Sequence, residues 1–93
     1  MVKSAHVFVL LLALGLPALA QAFDTYRFGS KLISVGDSAS KLADLAGQPG
    51  YKEPIENKRG AFIGERWQYR IDGKTVTFTI REGRVSEIEE SRD

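Results

Sequence analysis

The stretch from Arg66 to Arg81 constrains the fold more than any other. Trp67, Tyr69 and Ile71 alternate with Arg66, Gln68 and Arg70; after Asp72-Gly73, Val76, Phe78 and Ile80 alternate with Thr75, Thr77 and Thr79. A period of two on both sides of an Asp-Gly pair specifies a β-hairpin with one apolar face. Glu82-Gly83 offers a second two-residue turn, and Val85 and Ile88 begin a third run. Their spacing breaks strict alternation, which predicts a bulge or a strand end there. The product is an antiparallel meander. Its apolar face is Trp67, Tyr69, Ile71, Val76, Phe78 and Ile80. The other face, Arg66, Gln68, Arg70, Thr75, Thr77, Thr79 and Arg81, is polar and meets water.

One helix is available to cover the apolar face. Ala39, Leu42, Ala43 and Ala46 recur at helical spacing, and Leu45 widens the stripe. Ser38 is a favourable N-cap with Asp37 beside it, while Gly47 and Pro49 end the helix. Phe23–Arg27 reads as a short lead with exposed aromatics, and Lys31–Val35 as a short β-type run or an extended entry segment. Tyr51–Glu56 can be a strand, but Pro54 confines it to a sheet edge. Asn57-Lys58-Arg59-Gly60 signals a loop. The predicted fold is α+β: one short helix packed on a three- to four-stranded antiparallel meander sheet.

The beginning of the chain has a different character. Lys3 is followed by an apolar run, Val7–Leu16, then by Pro17 and two overlapping Ala-x-Ala patterns, Ala18-Leu19-Ala20 and Ala20-Gln21-Ala22. This is the pattern of a cleavable signal peptide over residues 1–22, cut after Ala22 or alternatively after Ala20. The run falls short of the roughly 20 apolar residues a spanning helix needs. No cysteine follows it for lipid attachment, so no stable membrane anchor is expected after cleavage. The expected location is the periplasm or the exterior of a bacterial cell. The expected mature domain, residues 23–93, has 71 residues with 12 basic and 12 acidic side chains, and neither His nor Cys. A neutral, unstapled chain of that size lies near the lower limit for folding alone.

That composition removes whole classes of chemistry. Ser-His-Asp and Cys-His catalysis need residues the domain lacks, as do the usual zinc sites. Zero net charge opposes electrostatically driven nucleic-acid binding. The Trp67–Arg70 interleaving is no stacking platform, because its aromatics and arginines fall on opposite strand faces. Ser38 reads as a helix cap with no base to activate it. Glu87, Glu89 and Glu90 read as a solvated strand end rather than an acid–base pair, and no Ca²⁺-loop pattern accompanies them. No catalytic, cofactor-binding or metal-ligating residue is expected. Lys58–Gly64 is either a loop leading into a strand, with Phe62 tucked under the sheet, or a recognition loop for a partner protein presenting Arg59, Phe62 and Ile63. The polar sheet face with Arg66, Arg70 and Arg81 is a second candidate surface.

The segment Arg27–Pro49 resembles a family of small secreted bacterial proteins known only as a domain of unknown function. Members read R-C-G-S-[RK]-L-[VI]-S-x-G-D-S, then a short helix ending C-G-x-P, a W-x-Y strand and a final [DN]-G-x-[LV] strand. The matching pieces are Gly29-Ser30-Lys31-Leu32, Ser34-Val35-Gly36-Asp37-Ser38, Gly47-Gln48-Pro49, Trp67-Gln68-Tyr69 and Gly83-Arg84-Val85. More distantly, the order of helix, G-x-P and W-x-Y meander is similar to the SmpA/OmlA (BamE-like) domain of the outer-membrane β-barrel assembly machinery. It is also similar to the repeat unit of secreted β-lactamase inhibitor proteins. These resemblances imply a non-catalytic domain that binds another envelope or periplasmic protein. The alternative they imply is an extracytoplasmic inhibitory or binding module for a soluble enzyme. The lipoprotein cysteine of the assembly-machinery member is absent here.

The family's two cysteines fall on Phe28 and Ala46. If they pair in relatives, the bridge is worth about 3 kcal/mol in the chain-entropy model. Burying a Phe ring recovers roughly 1.5–3 kcal/mol, so the exchange is near neutral if Phe28 packs toward the helix end near Ala46. A Phe28→Cys, Ala46→Cys double variant is expected to oxidise to a disulfide. Thiols that still titrate in the unfolded, air-oxidised protein would overturn this.

Overall fold

The computed structural model describes residues 20–92. The expected signal peptide therefore lies outside the described residues except for its last three positions. Eight elements follow in order: β1 (Ala20–Phe23), β2 (Thr25–Phe28), β3 (Lys31–Ser34), α1 (Ala39–Ala46), β4 (Tyr51–Glu56), β5 (Phe62–Ile71), β6 (Lys74–Arg81) and β7 (Arg84–Arg92). The main sheet has five antiparallel strands in the order β1-β7-β6-β5-β4, and β2 and β3 form a separate two-stranded hairpin. Among the described residues, the α+β class with one short helix is as the sequence predicts. The strand count is higher, because the chain before the helix contributes three strands.

The meander follows local chemistry. Asp72 and Gly73 have φ of 51° and 77°, and Glu82 and Gly83 have φ of 53° and 76°. Positive φ at both central residues gives the turn whose twist matches the flanking strands. In β7 the predicted irregularity is a bulge: Ile80 lies opposite Val85 and Thr79 opposite Glu87, so Ser86 is the extra residue. Its hydroxyl donates to the Thr79 carbonyl at 3.2 Å. The insertion lets Val85 and Ile88, three apart, both be buried on the core side. β4 is an edge strand, where Pro54 lacks an N–H that no neighbour requires.

The core is the apolar face of the meander together with Ile33, Leu42, Val85 and Ile88; only Ile71 of the expected set is merely half-buried. Its cover differs from expectation. The helix inserts Leu42 and lays Ala39, Ala43, Leu45 and Ala46 against the core, and the β2–β3 hairpin adds Ile33, Tyr26 and Phe28. Phe23–Arg27 is not an exposed lead. Tyr26 and Phe28 alternate inward along β2 and bring their rings to 6.1 and 5.9 Å from the Phe78 ring. Phe23 also packs against the core and meets the edge of Tyr26 at 6.3 Å. Local patterning missed this because the apolar residues of β2 answer to a sheet made 50 residues later.

After the hairpin the chain returns to the edge of β7. Gly36 N–H donates to the Val85 carbonyl, Val85 N–H to the Asp37 carbonyl and Ala39 N–H to the Gly83 carbonyl. These bonds fix where the helix starts. Ser38 caps it, its hydroxyl accepting from Lys41 N–H at 3.1 Å. The Asp37 carboxylate accepts from Ser34 N–H at 2.8 Å and from Lys41 Nζ at 3.1 Å. The Ser34 amide, and then Lys41, hold that carboxyl below its ordinary range.

At the other helix end, the Tyr69 hydroxyl donates to the Gly47 carbonyl at 2.8 Å. The Tyr69 ring also meets the edge of Phe28 at 6.2 Å. Phe28 and Ala46 both pack against the core cluster, and Tyr69 links the hairpin to the helix end. Burial pushes the Tyr69 hydroxyl up to about 12. As pH rises above the ordinary value near 10, the unfolded chain releases this proton first, so stability falls until the folded-state value is passed. Tyr69→Phe is expected to cost about 1 kcal/mol at neutral pH and to remove this alkaline slope. Urea midpoints of the two proteins should therefore converge as pH rises through about 10 to 12; a constant gap would contradict the assignment.

Candidate functional site

Where β5 begins, the sheet opens into a groove of about 800 Å³ bounded by β5, the end of β6, the β6–β7 turn and the first residue of α1. Trp67 and Ile80, 8% and 5% exposed, form its floor. Phe62, 62% exposed, and the half-buried Ile63 form its open side. Glu65, Arg81 and Glu82 add charge, and Ala39 and Gly83 close the helix side.

Two backbone features produce this shape. Ile55 pairs with Gly64 but the adjacent Glu56 pairs with Phe62, so Ile63 is an extra residue in β5. Such a bulge bends the strand and re-aims its side chains. A Cβ on Gly64 would stand 2.3 Å from the Ile80 carbonyl oxygen. Only glycine lets β5 approach β6 this closely.

Trp67 is held from two directions. Its indole N–H donates to Glu65 Oε1 at 2.9 Å, and Lys52 Nζ lies 4.6 Å from the ring centroid. A cation at that distance is attracted by the ring's π face. The groove floor is thus a fixed aromatic surface beside charged groups of both signs. Such a site can bury apolar side chains and pair charges at its rim.

The sequence-derived candidates divide between two surfaces. Phe62, Ile63 and Arg81 line the groove together. Phe62 belongs to a strand and is not tucked under the sheet. Arg59 sits outside the groove in the β4–β5 turn, where Asn57 Oδ1 accepts from the backbone N–H of both Arg59 and Ala61. Arg66 and Arg70 lie on the opposite sheet face. Arg66 pairs with Glu53 at 3.3 Å, and Arg70 donates to the Thr75 hydroxyl at 3.1 Å.

The C-terminal carboxylates separate as well. Glu87 and Glu89 share the outer face, opposite Thr79 and Thr77. Glu90 turns to the core side, paired with Lys74 at 3.2 Å and within 3.5 Å of the Tyr26 hydroxyl. Burial, and then Glu90, raise the Tyr26 pKa.

Sequence reasoning missed Ala39, Glu65, Trp67, Ile80, Glu82 and Gly83 as groove residues. Trp67 and Ile80 are legible as core, but nothing local shows that the core is uncovered at that end. Among the described residues, no three His, Cys, Asp or Glu side chains group as metal ligands, and no helix is long and apolar enough to cross a membrane. The chain matches no protein-family model, no curated protein and no solved structure.

Gly64→Ala is expected to force β5 away from Ile80 at the groove, costing about 1–3 kcal/mol. A urea midpoint unchanged from wild type would show that the close approach is dispensable.

Proposed function

We propose that the chain is an exported, non-catalytic domain that binds another cell-envelope protein through the groove at the start of β5. One observation carries this reading: Phe62 is 62% exposed beside a rigid, largely buried Trp67, on the open side of a groove with charged groups at its rim. Exposed aromatics next to pre-ordered apolar pockets are the composition of interface centres. Arg81, Glu65 and Glu82 supply the polar rim.

The signal-peptide pattern and the resemblance to small secreted proteins support the envelope as the setting. The order of helix, Gly47-Gln48-Pro49 and Trp67-Gln68-Tyr69 meander supports a BamE-like relationship, extended here by the β2–β3 hairpin.

A photo-crosslinking amino acid at position 62, expressed in the source bacterium, should give one dominant adduct that the same probe at position 59 does not give. Phe62→Ser and Arg81→Glu should each reduce that complex about tenfold or more without lowering the urea midpoint. Adducts no different between positions 59 and 62 would sink the groove as the interface. A soluble enzyme in the adduct, inhibited by the purified domain, would replace the scaffold reading with the inhibitory one.

A further inference from the structure

We propose that the outer face of the main sheet is the interface of a twofold dimer of this chain. This face lies opposite the groove, so the inference is independent of the function proposed above. Strand register arranges it in rows: Arg66, Thr79 and Glu87 in one, Gln68, Thr77 and Glu89 in the next, Arg70, Thr75 and Ser91 in the third. Down the strands the same residues form three columns. β5 is basic, β6 is a ladder of threonines, and β7 is acidic. The outer columns lie two strand spacings apart, about 10 Å.

That arrangement is self-complementary under one rotation. A twofold axis parallel to β6 exchanges left and right while turning one sheet to face the other. It sets threonine column on threonine column and Arg66 against the second copy's Glu87, and it makes every contact twice. A twofold axis across the strands would instead set arginines against arginines. Charge therefore selects one dimer geometry over the other.

The side chains suit the contact. Thr75 and Thr77 are half-buried, and Thr79, expected to meet water, is buried. The threonine column therefore stands low between its charged neighbours, and the sheets can reach the ordinary face-to-face spacing near 10 Å. Glu87 is exposed, and among the described residues neither Glu87 nor Glu89 forms an ion pair within its own chain. Arg66 is tethered by Glu53 on its far side, with the Arg66 side chain 45% exposed. The tether narrows its conformational freedom without covering it. Because both signs are present, the face does not suit a uniformly anionic surface such as a lipid bilayer or a nucleic acid. It suits its own copy.

Sedimentation of the purified domain over a micromolar to millimolar range tests this. Wild type should dimerise reversibly, and the dimer should weaken with added salt. Arg66→Glu with Arg70→Glu makes both outer columns acidic, and Glu87→Arg with Glu89→Arg makes both basic. Each double variant alone should raise the dissociation constant about tenfold or more, and an equimolar mixture should restore a heterodimer. Circular dichroism checks that both variants fold. A wild type monomeric throughout the range would overturn the proposal, as would a dimer unaffected by either swap.

Discussion

The structure depends on the ring of Phe78. It sits on β6, the middle strand of the five, and is wholly buried. Phe28 stacks on it at 5.9 Å and 28°, while Tyr26 and Tyr69 meet it edge to face at 6.1 and 5.6 Å. Such pairs add about 0.5–1.5 kcal/mol each beyond the area they bury. Two of these rings come from the hairpin and one from β5, so a single side chain joins the two sheets. With no disulfide available, this cluster does the joining that a covalent link performs in many small exported domains.

Tyr69 extends the same constraint to the helix. Its ring belongs to the cluster, and its hydroxyl reaches the Gly47 carbonyl. The helix start is set separately, by the bonds that run from residues 36–39 to 83–85. The helix is therefore fixed at both ends by β-structure, and its eight residues need little intrinsic stability. The groove lies beside its first turn, where the sheet extends past the cover that the helix and hairpin provide. Groove and core share Trp67 and Ile80, which ties the shape of one to the packing of the other.

What could be read from the sequence was whatever depends on neighbours a few residues away. Alternation from Arg66 to Arg81, the Asp72-Gly73 turn, the Ser38 cap and the Val85–Ile88 irregularity are each encoded within a short window. Pro54 announced an edge strand by the donor it lacks. The hairpin was not readable, because Tyr26 and Phe28 alternate over only four residues and their partners lie on strands far along the chain. Whether Phe62 is tucked under the sheet or presented stayed open for a related reason. Its exposure follows from a bulge at Ile63 and a close approach at Gly64, both defined by strands that pair only after folding. Charge counting gave a neutral domain but not the separation of Arg66 from Glu87 and Glu89 into columns, which only register reveals.

β1 places two uses of one segment in competition. Its residues Ala20, Gln21 and Ala22 pair with Ser91, Glu90 and Glu89 of β7, and they also end the Ala-x-Ala patterns of the proposed export signal. A peptidase that grips this segment as an extended strand needs the same backbone groups that β7 engages. If the segment is cut as the proposed signal requires, cleavage and closure of the sheet edge exclude each other in time, and the cut must precede pairing with β7.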